Sequence, residues 1–174
     1  ITGASGGVGH FLVELAAAQG ARITAIARTA ERGERLRALG AEAIAGRVDD
    51  TEGPFDVVFE SVGGASLSAA TQRVAPRGTV WWLGQASRAP AVLDFFALPE
   101  RVTVRRFAYW PHDEPDRVDL HVLVDLVSSG RLHPEIGLLA DWHETPAALV
   151  ALRDRGVRGN AVLTIPPHHE RADG

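Results

Sequence analysis

A glycine-rich run opens the chain: Thr2-Gly3-Ala4-Ser5-Gly6-Gly7-Val8-Gly9. After it, Val8, Phe11, Leu12, Leu15 and Ala16 recur at a spacing that predicts a helix stopped by Gly20. Before it, Ile1-Thr2 reads as the tail of a strand. Glycines in such a strand-to-helix turn have a chemical use. Gly6 lets backbone approach an anion closely, the amides at the start of the helix point at its charge, and Gly9 permits tight packing. Gly6 and the amides at the helix start are therefore candidate pyrophosphate contacts, and a dinucleotide is the natural occupant. Ala4 replaces the first glycine of the G-x-G-x-x-G pattern, at little cost while its φ stays negative.

The next strand end says which dinucleotide. An NAD site places Asp or Glu about 20 residues beyond the glycines, where it takes hydrogen bonds from the ribose hydroxyls. Here the region reads Ala27-Arg28-Thr29, with Arg32 one turn on. A guanidinium in place of a carboxylate favours the 2′-phosphate of NADP(H), which arginine binds bidentately. The competing reading makes Arg28, Arg32 and Arg35 only the solvated face of a helix.

Composition removes other chemistries. The 174 residues carry 18 basic and 22 acidic side chains, a net charge of −4, so no basic field draws nucleic acid or an anionic membrane. Cysteine is absent, which removes disulfides, thiolate nucleophiles and Cys-based zinc sites from this stretch. Every basic residue is arginine, so a Schiff-base lysine and a Tyr-Lys catalytic pair are impossible here. No apolar run approaches the ~18 residues of a spanning helix. A cytoplasmic location is the expectation. Methionine is also absent, so the chain is expected to be a fragment or a trimmed form.

The elements that position these residues alternate. Strands are expected over 22–27, briefly at 43–45, over 55–61 and 78–83, over 102–107 and at 161–165. Helices are expected over 31–39, 65–74, 116–129 and near 144–153. Alternation of this kind predicts an α/β fold, a doubly wound parallel sheet. Trp81 and Trp82 point to opposite faces of one strand and are expected in the core. His112, Asp113 and Glu114 read as a solvated turn rather than a metal cluster, and His168-His169 lies in a polar tail. No metal ligand set is assigned.

The short-chain dehydrogenases share the Thr2-Gly3-x-x-x-Gly7-x-Gly9 spacing, but their chemistry needs a lysine four residues after a tyrosine. The single tyrosine, Tyr109, is followed there by Asp113. The chain instead resembles the C-terminal half of a medium-chain dehydrogenase/reductase, of the zinc-free, quinone oxidoreductase-like branch. The landmarks are Ala4 to Gly9, Leu39-Gly40-Ala41, Phe55-Asp56-Val57-Val58, Ser61-Val62-Gly63-Gly64, Arg77-Gly78, Leu83-Gly84, Ser129-Gly130-Arg131-Leu132 and Gly159-Asn160-Ala161-Val162-Leu163. They run in order along almost the whole length.

That resemblance implies a Rossmann lobe over 1–130, with strand order 3-2-1-4-5-6, its first strand cut short. Residues 131–174 would return to complete a GroES-like catalytic domain, most of which precedes residue 1 in the family. It also implies site residues, with backbone from Gly6 through Gly7 to Val8 on the pyrophosphate and Ser5 beside them among the cofactor-binding residues. Arg28, Thr29 and Arg32 would lie near the 2′-phosphate, and Ser61, Val62 and Gly63 under the adenosine-side ribose. Leu83, Gly84, Phe107 and Ala108 would line the nicotinamide, and Asn160 would touch the cofactor. Arg47 stands where relatives often carry Tyr, either against adenine or as a solvated loop residue. Tyr109 and Trp110 would lie at the substrate pocket or a subunit interface, and the edge strand 102–107 predicts a homodimer.

Three functional readings follow. The first is an NADPH-dependent oxidoreductase passing hydride to a quinone, enone or related small-molecule acceptor, with no residue of this chain assigned as catalytic. The second is a zinc-dependent alcohol dehydrogenase of the same superfamily, with its zinc ligands before residue 1. The third is a non-catalytic NADP(H)-binding module.

Overall fold

The computed structural model describes residues 1–108 and 117–166. Tyr109, Trp110, His112, Asp113, Glu114, His168 and His169 lie outside the described residues. The elements run α1 (Gly9–Ala18), β1 (Thr24–Ile26), α2 (Ala30–Ala38), β2 (Ala43–Ala45), β3 (Phe55–Glu60), α3 (Gly64–Gln72), β4 (Val74–Trp82), β5 (Thr103–Arg106), α4 (Arg117–Ser128), β6 (Ile136–Asp141), α5 (Thr145–Arg153) and β7 (Asn160–Thr164).

All strand pairs are parallel: β1 with β2, β3 with β4, β4 with β5, and β6 with β7. Ile1-Thr2 joins the first two groups. The Ile1 nitrogen donates to the Thr24 carbonyl at 2.8 Å, the Ile26 amide donates to the Ile1 carbonyl at 2.9 Å, and the Thr2 amide donates to the Phe59 carbonyl at 2.9 Å. These bonds, two to β1 and one to β3, set Ile1-Thr2 between the two strands, so the order reads β2-β1-(Ile1-Thr2)-β3-β4-β5. That is the 3-2-1-4-5-6 order of the doubly wound sheet, with Ile1-Thr2 as its central strand.

The core falls into two clusters. Ala4, Val13, Ile23, Ala25, Leu36 and Leu39 join α1, β1 and α2, while Val58, Leu67, Ala70, Val74 and Val80 join β3, α3 and β4. Small side chains at the centre of the first cluster let the helices lie close to the strand. Against this, α4 buries none of its side chains and all four residues of β5 are exposed.

Two expectations need correction. Trp81 and Trp82 are only half-buried. Trp82 packs on the second cluster and its indole N–H donates to the Gly84 carbonyl at 2.7 Å, whereas Trp81 lies beneath the Arg105 guanidinium, 4.8 Å from the ring centroid. A neighbouring strand's arginine, rather than a helix, covers that ring. Second, β6 is a strand that the pattern had not indicated. Pro134 and Gly137 break its alternation, yet Gly137 is what admits β7: a Cβ there would meet the Arg158 amide nitrogen at 2.8 Å. The remaining boundaries fall within a few residues of expectation, with β4 starting early, at Val74.

Candidate functional site

The glycine turn is closed on itself. Gly3 takes φ +57°, the Gly6 amide donates to the Gly3 carbonyl at 2.9 Å, and a Cβ on Gly9 would strike the Gly3 carbonyl and lie 2.6 Å from Ala4 Cα. Gly9 therefore serves the turn itself more than the helix–sheet contact expected of it. Ala4 is fully buried and absent from the positive-φ residues, as its substitution for glycine required. Beyond the turn, α1 begins with Val8 at its N-cap, no side-chain cap and no acidic residue in its first turn. Val8 is exposed. The positive end of the helix thus faces outward without an internal anion to neutralise it.

The predicted residues gather at the carboxyl ends of the strands. Gly3 backs onto Ser61, whose hydroxyl donates to the Thr2 carbonyl at 3.0 Å and whose amide donates to Thr2 Oγ1 at 2.9 Å. Ser61 is thus tied inward, leaving backbone and Val62 to face any ligand. Gly63 takes φ +73° and leads into α3. Glu60, fully buried at the end of β3, accepts from Thr2 Oγ1 (2.9 Å), the Val62 amide (3.1 Å) and the Gly63 amide (2.8 Å).

The Leu83 amide donates to the Glu60 carbonyl at 2.7 Å, and a Cβ on Gly84 would meet the Ser61 carbonyl at 2.9 Å. Phe107 continues from β5, its amide donating to the Trp82 carbonyl at 2.9 Å, and both Phe107 and Ala108 are exposed. The turns after the central strand, β3, β4 and β5 therefore form one continuous rim.

Thr29 caps α2 by accepting from the Arg32 amide at 3.4 Å. Arg28 is exposed and makes no hydrogen bond or ion pair with another described residue, so its guanidinium is free to meet a ligand. Arg47 is exposed and pairs with Asp49 at 3.5 Å. The C-terminal segment reaches the same rim: Gly159 bridges to Gly6, its amide donates to the Ser5 carbonyl at 3.3 Å, and Asn160 Oδ1 lies 2.6 Å from where a Gly7 Cβ would stand. Asn160 and Gly7 are thus brought together.

Four contributors escaped the sequence reading. His10 is fully buried and contacts both the Gly6 carbonyl and the Glu135 amide. Arg155 takes φ +60°; its carbonyl accepts from Arg32 Nη2 at 2.8 Å and its own Nη2 donates to the Ala86 carbonyl at 3.3 Å. It therefore spans from α2 to the loop after β4. Arg158 pairs with Glu31 at 3.0 Å and with Glu135 at 3.3 Å. Glu60 was the one signal available from sequence: a charge ending an otherwise apolar strand must be partnered. A cleft of about 690 Å³ between β1 and β3 opens at the amino ends of the strands, and no glycine of the turn lines it. It plays no part in this rim.

A parallel sheet with a glycine turn at its switch point defines a Rossmann-type nucleotide-binding α/β protein. Residues 7–122 match the model of the zinc-binding dehydrogenase family, and the chain belongs to that family. It is 30% identical to a 2-haloacrylate reductase of Burkholderia sp, over 94% of this chain and 54% of that protein. It is 26% identical to the mitochondrial NAD(P)H oxidoreductase RTN4IP1 of Homo sapiens, over 95% of this chain and 47% of that one. An Escherichia coli quinone oxidoreductase solved with NADPH shares the fold at a TM-score of 0.80, with 20% identity over 95% of this chain and 56% of the other. The chain spans about half the length of these relatives.

Proposed function

We propose that this chain is the NADP(H)-holding part of an oxidoreductase that passes hydride to a quinone, enone or other activated carbonyl acceptor. The observation that carries it is the outward-facing, self-closed glycine turn whose helix start has no side-chain cap, together with an exposed Arg28 just after β1 that makes no hydrogen bond or ion pair with another described residue. Glycines that cannot take a Cβ, a positive helix end and an exposed arginine after the next strand suit a phosphorylated dinucleotide. The names of the relatives, 2-haloacrylate reductase and NAD(P)H oxidoreductase, support the same reading.

Within it, Ser5 to Val8 hold the pyrophosphate through backbone, and Arg28, Thr29 and Arg32 take the 2′-phosphate, joined by Arg155. Ser61 to Gly63 support the adenosine-side ribose. Leu83, Gly84, Phe107, Ala108 and Asn160 shape the nicotinamide end. Bound nicotinamide supplies the hydride; the chain's task is to fix the face from which it leaves and to keep water from the groove. Residues 1–130 form the nucleotide lobe, and 131–174 belong with the catalytic domain. The exposed edge of β5 pairs with a second copy as a homodimer. The setting is cytoplasmic. Among the described residues, no helix is long and apolar enough to cross a membrane, and no three His, Asp or Glu side chains group to hold a metal. No step is therefore routed through a metal held by the described residues.

The test is paired titration of NADPH and NADH into the folded protein and its Arg28→Ala variant. NADPH binding at least about tenfold tighter, with the preference lost in the variant, supports the reading. Equal affinities overturn the 2′-phosphate assignment, and no binding by a folded sample overturns the function.

A further inference from the structure

Glu60 ends the apolar strand β3 with no accessible surface, and no arginine or histidine pairs with it among the described residues. A buried, unpaired anion is costly unless hydrogen bonds replace its hydration. Here they do: the two oxygens accept three bonds, from Thr2 Oγ1 and the Val62 and Gly63 amides. An apolar side chain in this place would leave both amides without an acceptor. No neighbouring side chain substitutes, since Gly63, the N-cap of α3, has none and α3 has no other cap.

The network then crosses to the central strand. Thr2 gives its hydroxyl proton to Glu60, accepts the Ser61 amide on the same oxygen and accepts the Ser61 hydroxyl on its carbonyl. The carboxylate thereby joins the direct Thr2–Ser61 bonds in holding the glycine turn, which follows Thr2, against the Ser61–Gly63 turn. Those are the two backbone segments that flank the adenosine half of the nucleotide in the reading above, on which this inference rests.

We infer that Glu60 is a positioning residue: without touching the nucleotide, its buried carboxylate spaces the two turns and so sets the affinity for the adenosine half of NADPH. Two physical effects oppose each other and give the test its sign. As a negative charge behind an anionic ligand, Glu60 weakens binding, so its neutralisation alone tightens NADPH. As the acceptor that holds both turns, it strengthens binding, and E60Q turns an amide NH₂ toward an N–H that needs an acceptor. The positioning effect is the larger, because losing a hydrogen bond to a buried charged group exceeds a screened repulsion between groups not in contact.

Calorimetric titration of NADPH and of 2′,5′-ADP, which carries only the adenosine half, reads affinity and stoichiometry separately. E60Q is expected to weaken both ligands by a similar factor, about tenfold or more, with the number of sites unchanged. T2V, which removes the hydroxyl that donates to Glu60 and accepts the Ser61 amide but keeps both amide bonds to Glu60, is expected to weaken them less, and T2S to restore them. Unchanged or tighter binding in E60Q overturns the inference. So does unchanged affinity with fewer sites, the mark of a merely structural role. If E60Q does not fold, equal affinities in T2V and T2S overturn it. Absence of NADPH binding by the unsubstituted, folded protein instead removes the cofactor reading itself.

Discussion

His10 ties the backbone of Glu135 to the glycine turn. Its Nδ1 lies 3.0 Å from the Gly6 carbonyl oxygen, and its Nε2 lies 3.1 Å from the Glu135 amide nitrogen. The carbonyl can only accept and the amide can only donate, so the ring is the neutral tautomer with its proton on Nδ1. A fully buried imidazole thus joins two segments 125 residues apart without using a charge. His10→Phe keeps an aromatic ring, somewhat larger than imidazole, and leaves the Glu135 N–H without an acceptor. The expected loss is about 1–3 kcal/mol of unfolding free energy in a denaturant titration. His10→Gln, which carries a donor and an acceptor, is expected to lose less. Equal stability of the parent and the Phe variant would show that the bond contributes nothing.

Gly9 is the least replaceable glycine of the turn. A methyl group there meets the Gly3 carbonyl and Ala4 Cα, both backbone, so nothing flexible can yield. Gly46→Ala is a suitable control, because its Cβ finds only the Asp50 carboxylate at an ordinary 3.6 Å. We expect Gly9→Ala to destabilise the chain by about 1–3 kcal/mol or more and to abolish NADPH binding, with Gly46→Ala close to the parent in both. Thermal unfolding and nucleotide titration measure the two effects. A Gly9→Ala protein that binds normally would remove the turn from the site.

The sequence made the fold legible where local pattern and tertiary role agree. Ala43–Ala45 is an expected strand found at its expected bounds, and the alternation from Arg22 to Phe107 corresponds to the parallel order observed. The rim was legible wherever glycine marks a turn: Gly3, Gly63 and Gly84 all stand where backbone approaches backbone. It was illegible where one side chain joins distant segments. Nothing local in Asp154-Arg155-Gly156 says that Arg155 reaches both Arg32 and Ala86, 123 and 69 residues away. His10 likewise looks like any polar residue in an amphipathic helix until Glu135 is folded against it. Trp81 shows the same limit in reverse: its apolar character predicted burial in the core, but the side chain above it is Arg105 on the next strand.

When the 174-residue polypeptide is made with Ile1 at its start, the Ile1 amine becomes a pH-dependent element of the central strand. Burial pushes it down from 8.0 to about 6, with the Glu60 carboxylate opposing the shift. The folded state therefore binds this proton less tightly than the unfolded state does, and between pH 6 and 8 unfolding takes up protons. The stability is full above the unfolded value of 8.0 and falls as the pH drops toward 6. Denaturant titrations across that range are expected to show the fall. They should lose it when Nα is acetylated, because an amide does not titrate. Identical pH profiles for the free and acetylated chains would place the amine in water.

Arg155 is held in a left-handed backbone conformation, φ +60°, that an arginine adopts only at a cost. Its backbone is pinned by Arg32 Nη2 at 2.8 Å, while among the described residues its guanidinium has a single neutral acceptor, the Ala86 carbonyl at 3.3 Å. A cation so poorly partnered can exchange that one long bond for a phosphate without breaking an ion pair. Arg155→Ala is therefore expected to weaken NADPH by about tenfold and to leave NADH within about twofold, since only NADPH carries the 2′-phosphate. Arg155→Lys keeps the charge but loses the bidentate fork, and should fall between the two. Arg155→Gly relieves the backbone strain as well. It should gain stability in thermal unfolding while binding NADPH as weakly as the alanine variant. Equal losses for NADPH and NADH would mean that Arg155 shapes the groove in general instead of reading the phosphate.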